Sequence, residues 1–285
     1  MKQYLDMLQY ILDNGEQESN RTGIDTIMVS GYKFEHDMKD GFPLLTSKKM
    51  GIKSISAELE MFIKGIQSKK FLQDRKCTIW NQWCSSKKVP YGNDPETKAK
   101  MAAEDDLGPI YGVQGRRFDD HPELGLKGTD QLKNLIDTIK KDPTSRRLLV
   151  SYWNPNQIPE MALPPCHFAY QVLCHPKTKK MDIIWYQRSC DAPLGIPYDL
   201  ASYALLLTLL CKETGYEPGK VIGMFANLHI YVNQIEGVKE QLKRPTHKLP
   251  TLEIKNFTSI FDWKYDDIEL KNYEHEDTIK FDIAV

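Results

Sequence analysis

The chain has 285 residues, 41% of them hydrophobic, and a net charge of -1, so it can bury a sizeable core. This near-neutral balance gives no reason to expect a nucleic-acid polymer or an anionic membrane as partner, and a bound anion should meet local arginines. No apolar run is long enough to span a membrane, and the amino-terminal MKQYLDMLQYILDNG lacks the features of a signal peptide.

Six cysteines are scattered along the chain without CxxC pairs, which argues against a structural zinc site or a redox motif. We therefore expect no metal and reduced thiols. Reduced thiols are typical of the cytoplasm, where we expect the protein to be located.

The first third of the chain predicts two helices and an extended segment. Apolar residues at helical spacing over 5–12 predict an amphipathic helix that ends at Gly15. Alternation over 26–36 predicts strands, and a second helix is expected over 56–63. Glu58 lies among apolar neighbours of that helix, where a carboxylate must be paired or used.

Two tryptophans and a polar stretch follow. Trp80 and Trp83 are three residues apart, a spacing typical of core packing that can also wall a pocket for a flat ligand. Residues 85–106 are polar and charged, which predicts a surface insertion with a short helix and not a domain boundary. We therefore predict one domain over residues 1–285.

The next elements are a helix and a strand. The apolar stripe of residues 130–140 predicts a helix that Thr129 could cap. Arg146 and Arg147 precede a strand predicted over 148–153. Adjacent residues on a strand project to opposite faces, so either one arginine is paired internally or both reach across an interface.

In the segment from residue 163 to residue 199, candidate reactive side chains lie close together. Cys166 follows two prolines, and Arg188, Ser189 and Asp191 end an apolar strand-like run. Buried charge is costly unless it is paired, so this crowding indicates a site. Residues 200–212 are apolar nearly all round and predict a buried central helix.

Six motifs together resemble the thymidylate synthase family, and they occur in that family's order along nearly the whole chain. They are NRTG at 20–23, SRR at 145–147, PPCH at 164–167, QRSCD at 187–191, LGIP at 194–197 and HIY at 229–231. The resemblance implies an α/β (α+β) fold with a large mixed β-sheet that forms the interface of a homodimer. It also implies a pyrimidine nucleotide and 5,10-methylenetetrahydrofolate as small-molecule substrates.

The same resemblance implies a role for individual residues. Cys166 would be the nucleophile that adds to carbon 6 of the pyrimidine and turns the ring into an enamine, with Glu58 organising protons and Tyr111 beside the thiol. Nearby arginines should favour the thiolate. The nucleotide phosphate and sugar would be held by Arg21, Arg188, Ser189, His229 and Tyr231, joined by Arg146 and Arg147 from the partner subunit. The folate would be held by Lys48, Ile79, Trp80, Trp83, Asp191, Leu194, Gly195, Tyr198 and Ala284.

One departure from the family bears on the substrate. Where the synthases have an asparagine, this chain has Asp199. Asparagine can accept from uracil N3–H and donate to O4, whereas cytosine reverses that face. A carboxyl group can accept from the 4-amino group and share a proton with N3, so Asp199 predicts deoxycytidylate (dCMP) as substrate. A fully protonated Asp199 could imitate asparagine, which keeps deoxyuridylate (dUMP) open.

Family members that use dCMP are mainly phage hydroxymethylases. We therefore expect dCMP 5-hydroxymethyltransferase activity, in which dCMP, methylenetetrahydrofolate and water give 5-hydroxymethyl-dCMP and tetrahydrofolate. If a phage encodes the chain, we expect the reaction to take place in the host cytoplasm. Asn81, Gly115 and residues 226–228 also depart from the family's usual residues. Trp80, which shields the methylene from water in synthases, favours the alternative of reductive methylation of dCMP or dUMP. An inactive nucleotide- or RNA-binding paralogue is a remote alternative, because the nucleophile and phosphate arginines are all present.

Overall fold

The computed structural model describes residues 1–282, which form both helices and strands. The helices of this range are α1 (Lys2–Asn14), α2 (Ile52–Ile63), α3 (Lys70–Gln73), α4 (Pro95–Ala103), α5 (Tyr111–Arg117), α6 (Gln131–Lys141), α7 (Gly195–Thr214) and α8 (Ile235–Lys243). The strands are β1 (Glu16–Glu18), β2 (Thr26–Asp37), β3 (Leu149–Ser151), β4 (His167–His175), β5 (Lys180–Asp191), β6 (Glu217–Tyr231), β7 (Thr251–Ile254) and β8 (Ile268–Lys271).

A six-stranded mixed sheet forms the centre of the fold, in the order β1-β2-β6-β5-β4-β3. Strands β5 and β6 are parallel, whereas the other neighbouring strands of this sheet are antiparallel. A parallel pair needs a crossover connection, and α7 provides it. The predicted α/β fold with a large mixed sheet is confirmed.

Helix α7 is the buried central helix that the apolar run predicts. Twelve of its residues are buried, among them Leu200, Leu205, Leu207 and Leu210. Burying each leucine contributes roughly 1.5 to 3 kcal/mol. The helix begins earlier than predicted, at Gly195, so Asp199 lies on a rigid helix next to the carboxyl end of β5.

Three local predictions differ from the structure. Residues 26–37 form one continuous strand, in which Gly31 takes a left-handed φ of 73°. Asp130, not Thr129, caps α6, because its carboxylate accepts from the Lys133 backbone N–H at 3.0 Å.

The third difference concerns the paired arginines. Strand β3 begins only at Leu149, so Arg146 and Arg147 lie in the preceding turn, and both are exposed. Neither guanidinium is therefore forced into the core, and neither arginine needs an internal ion pair.

The polar segment 85–106 contains α4, and a buried lysine ties it to the body. Lys69 is 2% exposed, and its Nζ donates to the carbonyl oxygens of Met101 (2.8 Å), Trp83 (3.1 Å) and Asn81 (3.2 Å). These three bonds use all the donors of the ammonium group. That the segment is an insertion in a single domain stays a prediction.

Within residues 1–282, no helix combines the length and apolar character needed to cross a membrane.

Candidate active site

Strand pairing brings the chemically active segments to one edge of the sheet. His167, at the start of β4, pairs with Gln187 near the end of β5. Asp191, at the end of β5, lies beside His229 of β6. Residues that are far apart in sequence therefore converge because neighbouring strands begin and end together.

Cys166 precedes β4 in a loop that is held from two sides. Its backbone N–H donates to Tyr111 Oη at 2.8 Å, and its carbonyl accepts from the Arg188 N–H at 2.9 Å. The Arg188 guanidinium also donates to the carbonyls of Pro164 and Pro165, both at 2.9 Å. Sequence reasoning assigned Arg188 to phosphate alone, but this side chain also fixes the loop that presents the thiol.

Opposing influences act on the Cys166 thiol. Burial raises its pKa, the Asp199 carboxylate raises it further, and Arg188 and Arg21 lower it, with a net rise. The expected effect of the arginines is present in direction but is outweighed by burial. Cys166 is therefore a thiol at neutral pH in the free protein, and it must lose a proton before it can attack.

Three of the predicted phosphate ligands lie near the thiol. The charge of Arg21 opposes the rise that burial causes in the pKa of Cys166 and of Tyr231, and Arg188 and Ser189 lie near the carboxyl end of β5.

Arg146 and Arg147 do not join this group. They occupy the turn before β3, the strand at the edge of the sheet, and neither forms a salt bridge with any residue of the described range 1–282. Their contribution to a partner's site stays a prediction.

The predicted sugar-binding pair is preorganised. His229 is 5% exposed, and burial lowers its pKa to about 4, so the ring is neutral at physiological pH. Its Nδ1 donates to Asn227 Oδ1 at 2.7 Å, which leaves Nε2 as the hydrogen-bond acceptor. The Tyr231 ring lies edge-on to it with centroids 5.1 Å apart. Asn227, one of the departures from the family, thus sets the tautomer of His229.

Glu58 has the partner that its apolar surroundings require. Trp80 Nε1 donates to Glu58 Oε1 at 2.6 Å. Burial raises the pKa of Glu58 to about 7, and the Trp80 hydrogen bond acts in the opposite direction. A carboxyl group with this pKa can both accept and donate a proton at neutral pH.

Asp199 is a second carboxyl group poised near neutrality. Its pKa is raised to about 7: burial is the main cause, the hydrogen bond from Gln187 acts in the opposite direction, and the charges of Glu58 and Asp191 add to the rise. Gln187 Nε2 donates to Asp199 Oδ2 at 2.8 Å, whereas Oδ1 lies 3.7 Å from His167 Nε2. Burial lowers the pKa of His167 to about 3, so this ring is neutral.

Asp191 and Lys48 mark the predicted folate side of the cleft. The half-buried Asp191 carboxyl accepts from Leu194 N–H at 3.0 Å and from Gln234 Nε2 at 3.1 Å. Lys48 Nζ donates to the Pro193 carbonyl at 2.5 Å, and burial lowers its pKa to about 8. A half-buried carboxyl group beside apolar side chains has the chemistry to hold a planar, hydrogen-bonding ring such as a pterin.

The other predicted folate residues flank these groups. Gly195 lies beside Asp191 at an ordinary van der Waals distance, the Tyr198 hydroxyl is near Glu58, and Ile79 precedes Trp80. The Trp83 ring stacks on that of Tyr91 with centroids 6.3 Å apart. Ala284 lies outside the described residues.

Sequence reasoning missed the supporting shell of Asp199 and Asp191. Gln187 and Gln234 each donate to one of these carboxyl groups, and Trp185 and Tyr203 lie behind them. The sequence feature that could have revealed this supporting shell is Gln187 of the QRSCD motif, a polar side chain on the buried face of β5. No group of three or more His, Cys, Asp or Glu side chains that could hold a metal occurs in the described part of the chain.

Comparisons with known proteins cover the same span as the motifs. The family model described as thymidylate synthase matches residues 2–285. The thymidylate synthases of Mycoplasma pneumoniae and Mycoplasma genitalium are 44% and 43% identical over 297 aligned residues, and that of Malacoplasma penetrans is 42% identical over 298. Each alignment covers 100% of this chain and 100% of the relative.

Proposed function

Because the chain belongs to the thymidylate synthase family, we propose that it methylates carbon 5 of dUMP reductively, with 5,10-methylenetetrahydrofolate as one-carbon donor. The observation that carries this proposal is the loop-held Cys166 in a cleft that also holds Arg21, Arg188 and the neutral His229. The names of the full-length relatives favour this reaction over the dCMP hydroxymethylation that the sequence alone predicts.

The proposed reaction divides the work among a few side chains. Cys166 loses its proton and adds to carbon 6, which makes carbon 5 nucleophilic. Glu58, with a pKa of about 7, gives and takes protons at the base. The folate supplies a one-carbon unit and a hydride, so that dUMP and methylenetetrahydrofolate become thymidylate and dihydrofolate.

Asp199 supports dCMP as a second candidate substrate. As a carboxylate it accepts from the cytosine 4-amino group and opposes the uracil O4; as an acid it can donate to O4. With a pKa of about 7, both forms are present at neutral pH. Conversion of dCMP, by methylation or by hydroxymethylation, is therefore the alternative to methylation of dUMP.

We also propose a homodimer that buries the outer face of the sheet. The half-buried Ile184 and Tyr186 of β5 lie beside Ile222 and Met224 of β6, and Met224 is 40% exposed. An apolar sheet face of this kind is typical of an interaction surface. A twin sheet packed there agrees with the proposed role of Arg146 and Arg147 in the partner's site.

A Cys166→Ser variant tests the proposed function. Dihydrofolate absorbance should rise when the wild-type protein receives dUMP and methylenetetrahydrofolate, and the variant should lose at least about 10³-fold in kcat because the hydroxyl is a far weaker nucleophile. Its dissociation constant for dUMP should stay within a few-fold of wild type. Equal turnover by variant and wild type would contradict the nucleophilic role.

A further inference from the structure

We propose that Trp185 is a positioning residue for substrate selection: its indole N–H holds the Gln187 amide in the orientation that donates to Asp199, so that Oδ1 of Asp199 is left to meet the base. This inference deepens the proposed function and rests on it. It concerns a side chain beneath the cleft that the motifs do not include.

Trp185 and Gln187 are two residues apart on β5, so both face α7. Trp185 is 0% exposed and Gln187 is 3% exposed. Trp185 Nε1 donates to Gln187 Oε1 at 2.9 Å, and Gln187 Nε2 donates to Asp199 Oδ2 at 2.8 Å. A continuous chain of two hydrogen bonds therefore joins the core to the carboxyl group that would face the pyrimidine.

The chemistry of the partners fixes the polarity of this chain. An indole N–H can only donate, so it must meet the amide oxygen of Gln187. The amide nitrogen also donates to the Ser189 carbonyl at 3.2 Å, and a carbonyl can only accept. The contacts of the amide oxygen with Trp185 and of the amide nitrogen with Ser189 therefore specify one orientation of the Gln187 amide, with its NH2 group toward Asp199. An asparagine at position 199 could accept either orientation, whereas a carboxylate needs this one.

Because Oδ2 accepts from Gln187 in both protonation states, Oδ1 is the oxygen whose hydrogen-bonding role changes when Asp199 gains or loses its proton. When Asp199 is neutral, its proton resides on Oδ1, because a protonated Oδ2 would accept the Gln187 N–H more weakly than a carbonyl oxygen does. When Asp199 is ionised, Oδ1 only accepts. One oxygen atom therefore switches between donor and acceptor, which matches uracil O4 in the first state and the cytosine 4-amino group in the second.

Trp185 also supports the opposite side of Asp199. Its ring stacks on Tyr203 with centroids 5.2 Å apart, and the Tyr203 hydroxyl bonds to His167 Nδ1 at 2.8 Å. His167 Nε2 faces Asp199 Oδ1 at 3.7 Å. The Trp185 indole therefore supports Gln187, the neighbour of Oδ2, directly, and His167, the neighbour of Oδ1, through Tyr203. The titratable groups that face Asp199 from the surrounding elements are Glu58, Tyr111, Cys166, His167, Cys190, Asp191 and Tyr203.

The test measures dissociation constants of dUMP and dCMP by titration calorimetry between about pH 6 and about pH 8, which brackets the titration of Asp199. The wild-type preference for dUMP over dCMP should fall as pH rises through this range. Trp185→Phe keeps an aromatic ring against Tyr203 but removes the donor, so the Gln187 N–H stabilises the carboxylate less. The midpoint of the change should move up by roughly half a pH unit to one unit.

Trp263→Phe is the matched control. Trp263 is also buried, at 2% exposure, but its indole nitrogen has no hydrogen-bond partner within residues 1–282. This variant should leave the midpoint unchanged, which separates loss of the N–H donor from loss of a buried indole. Gln187→Met, which removes the donation to Asp199 directly, should move the midpoint in the same direction and serves if Trp185→Phe does not fold.

Binding and turnover distinguish the two proposals. An unchanged midpoint in Trp185→Phe, or in Gln187→Met where the first variant is unfolded, would overturn the positioning role even if the enzyme methylates dUMP. Normal nucleotide binding without folate-dependent turnover would overturn the proposed function and leave the positioning role standing.

Discussion

At the scale of single residues, two carboxyl groups of the cleft have pKa values near neutrality. Burial raises the pKa of Glu58 and of Asp199 to about 7 in each case. Each has one neutral donor that favours its ionised form, Trp80 for Glu58 and Gln187 for Asp199. The two groups can therefore exchange protons with a bound base at neutral pH, which ordinary surface carboxylates cannot do.

A Trp80→Phe substitution should raise the pKa of Glu58, because it removes the hydrogen bond that stabilises the carboxylate. If the reaction needs ionised Glu58, the acidic limb of the kcat profile should move to higher pH by roughly half a unit to one unit. Trp83→Phe is the control, since Trp83 stacks on Tyr91 instead. An acidic limb that stays in place, or moves to lower pH, would contradict the assignment.

At the scale of elements, the cleft is positioned by buried polar anchors as much as by apolar packing. Lys69 joins α3 to the loop that carries the two tryptophans and to the end of α4, through three carbonyl oxygens. Helix α7 and strand β5 hold Asp199 and its supporting residues between them.

Replacing Lys69 by methionine should leave three carbonyl oxygens without their donor. We expect a loss of about 3 kcal/mol in the free energy of unfolding, and a higher KM for the folate because Trp80 and Trp83 shift. Urea denaturation and steady-state kinetics check both effects. The neighbouring Lys70 is exposed, so Lys70→Met should change neither; equal effects of the two variants would show that Lys69 is no anchor.

Local sequence patterns predict helices and strands better than they predict the contacts between distant segments. Helix α7 follows from its apolar run, and the amphipathic α1 from its spacing, because both depend on near neighbours. The parallel pairing of β5 with β6 and the contact of Gln187 with Asp199 depend on how distant segments pack, which periodicity does not encode. The cap of α6 was misplaced by one residue because Thr129 and Asp130 are both good caps.

At the scale of the whole molecule, the proposed dimer would complete each site with residues of the other subunit. Arg146 and Arg147 are exposed in a turn and form no salt bridge with any residue in the range 1–282. A nucleotide dianion would gain bidentate, charge-assisted bonds from them across the interface.

Mixing two inactive variants tests this arrangement. Cys166→Ser lacks the nucleophile, and Arg147→Ala lacks a residue supplied to the partner. After exchange of subunits, half of the dimers would be mixed and would hold one intact site of two, which gives about a quarter of wild-type activity. No recovery after demonstrated exchange would contradict a shared site.

The most direct measurement of the central claim is the mass of the nucleotide product from an equimolar mixture of dUMP and dCMP with methylenetetrahydrofolate, recorded while dihydrofolate absorbance is followed. We predict thymidylate together with an equal amount of dihydrofolate. Hydroxymethyl-dCMP without dihydrofolate, or methyl-dCMP with it, would contradict dUMP methylation and assign the decisive role to Asp199.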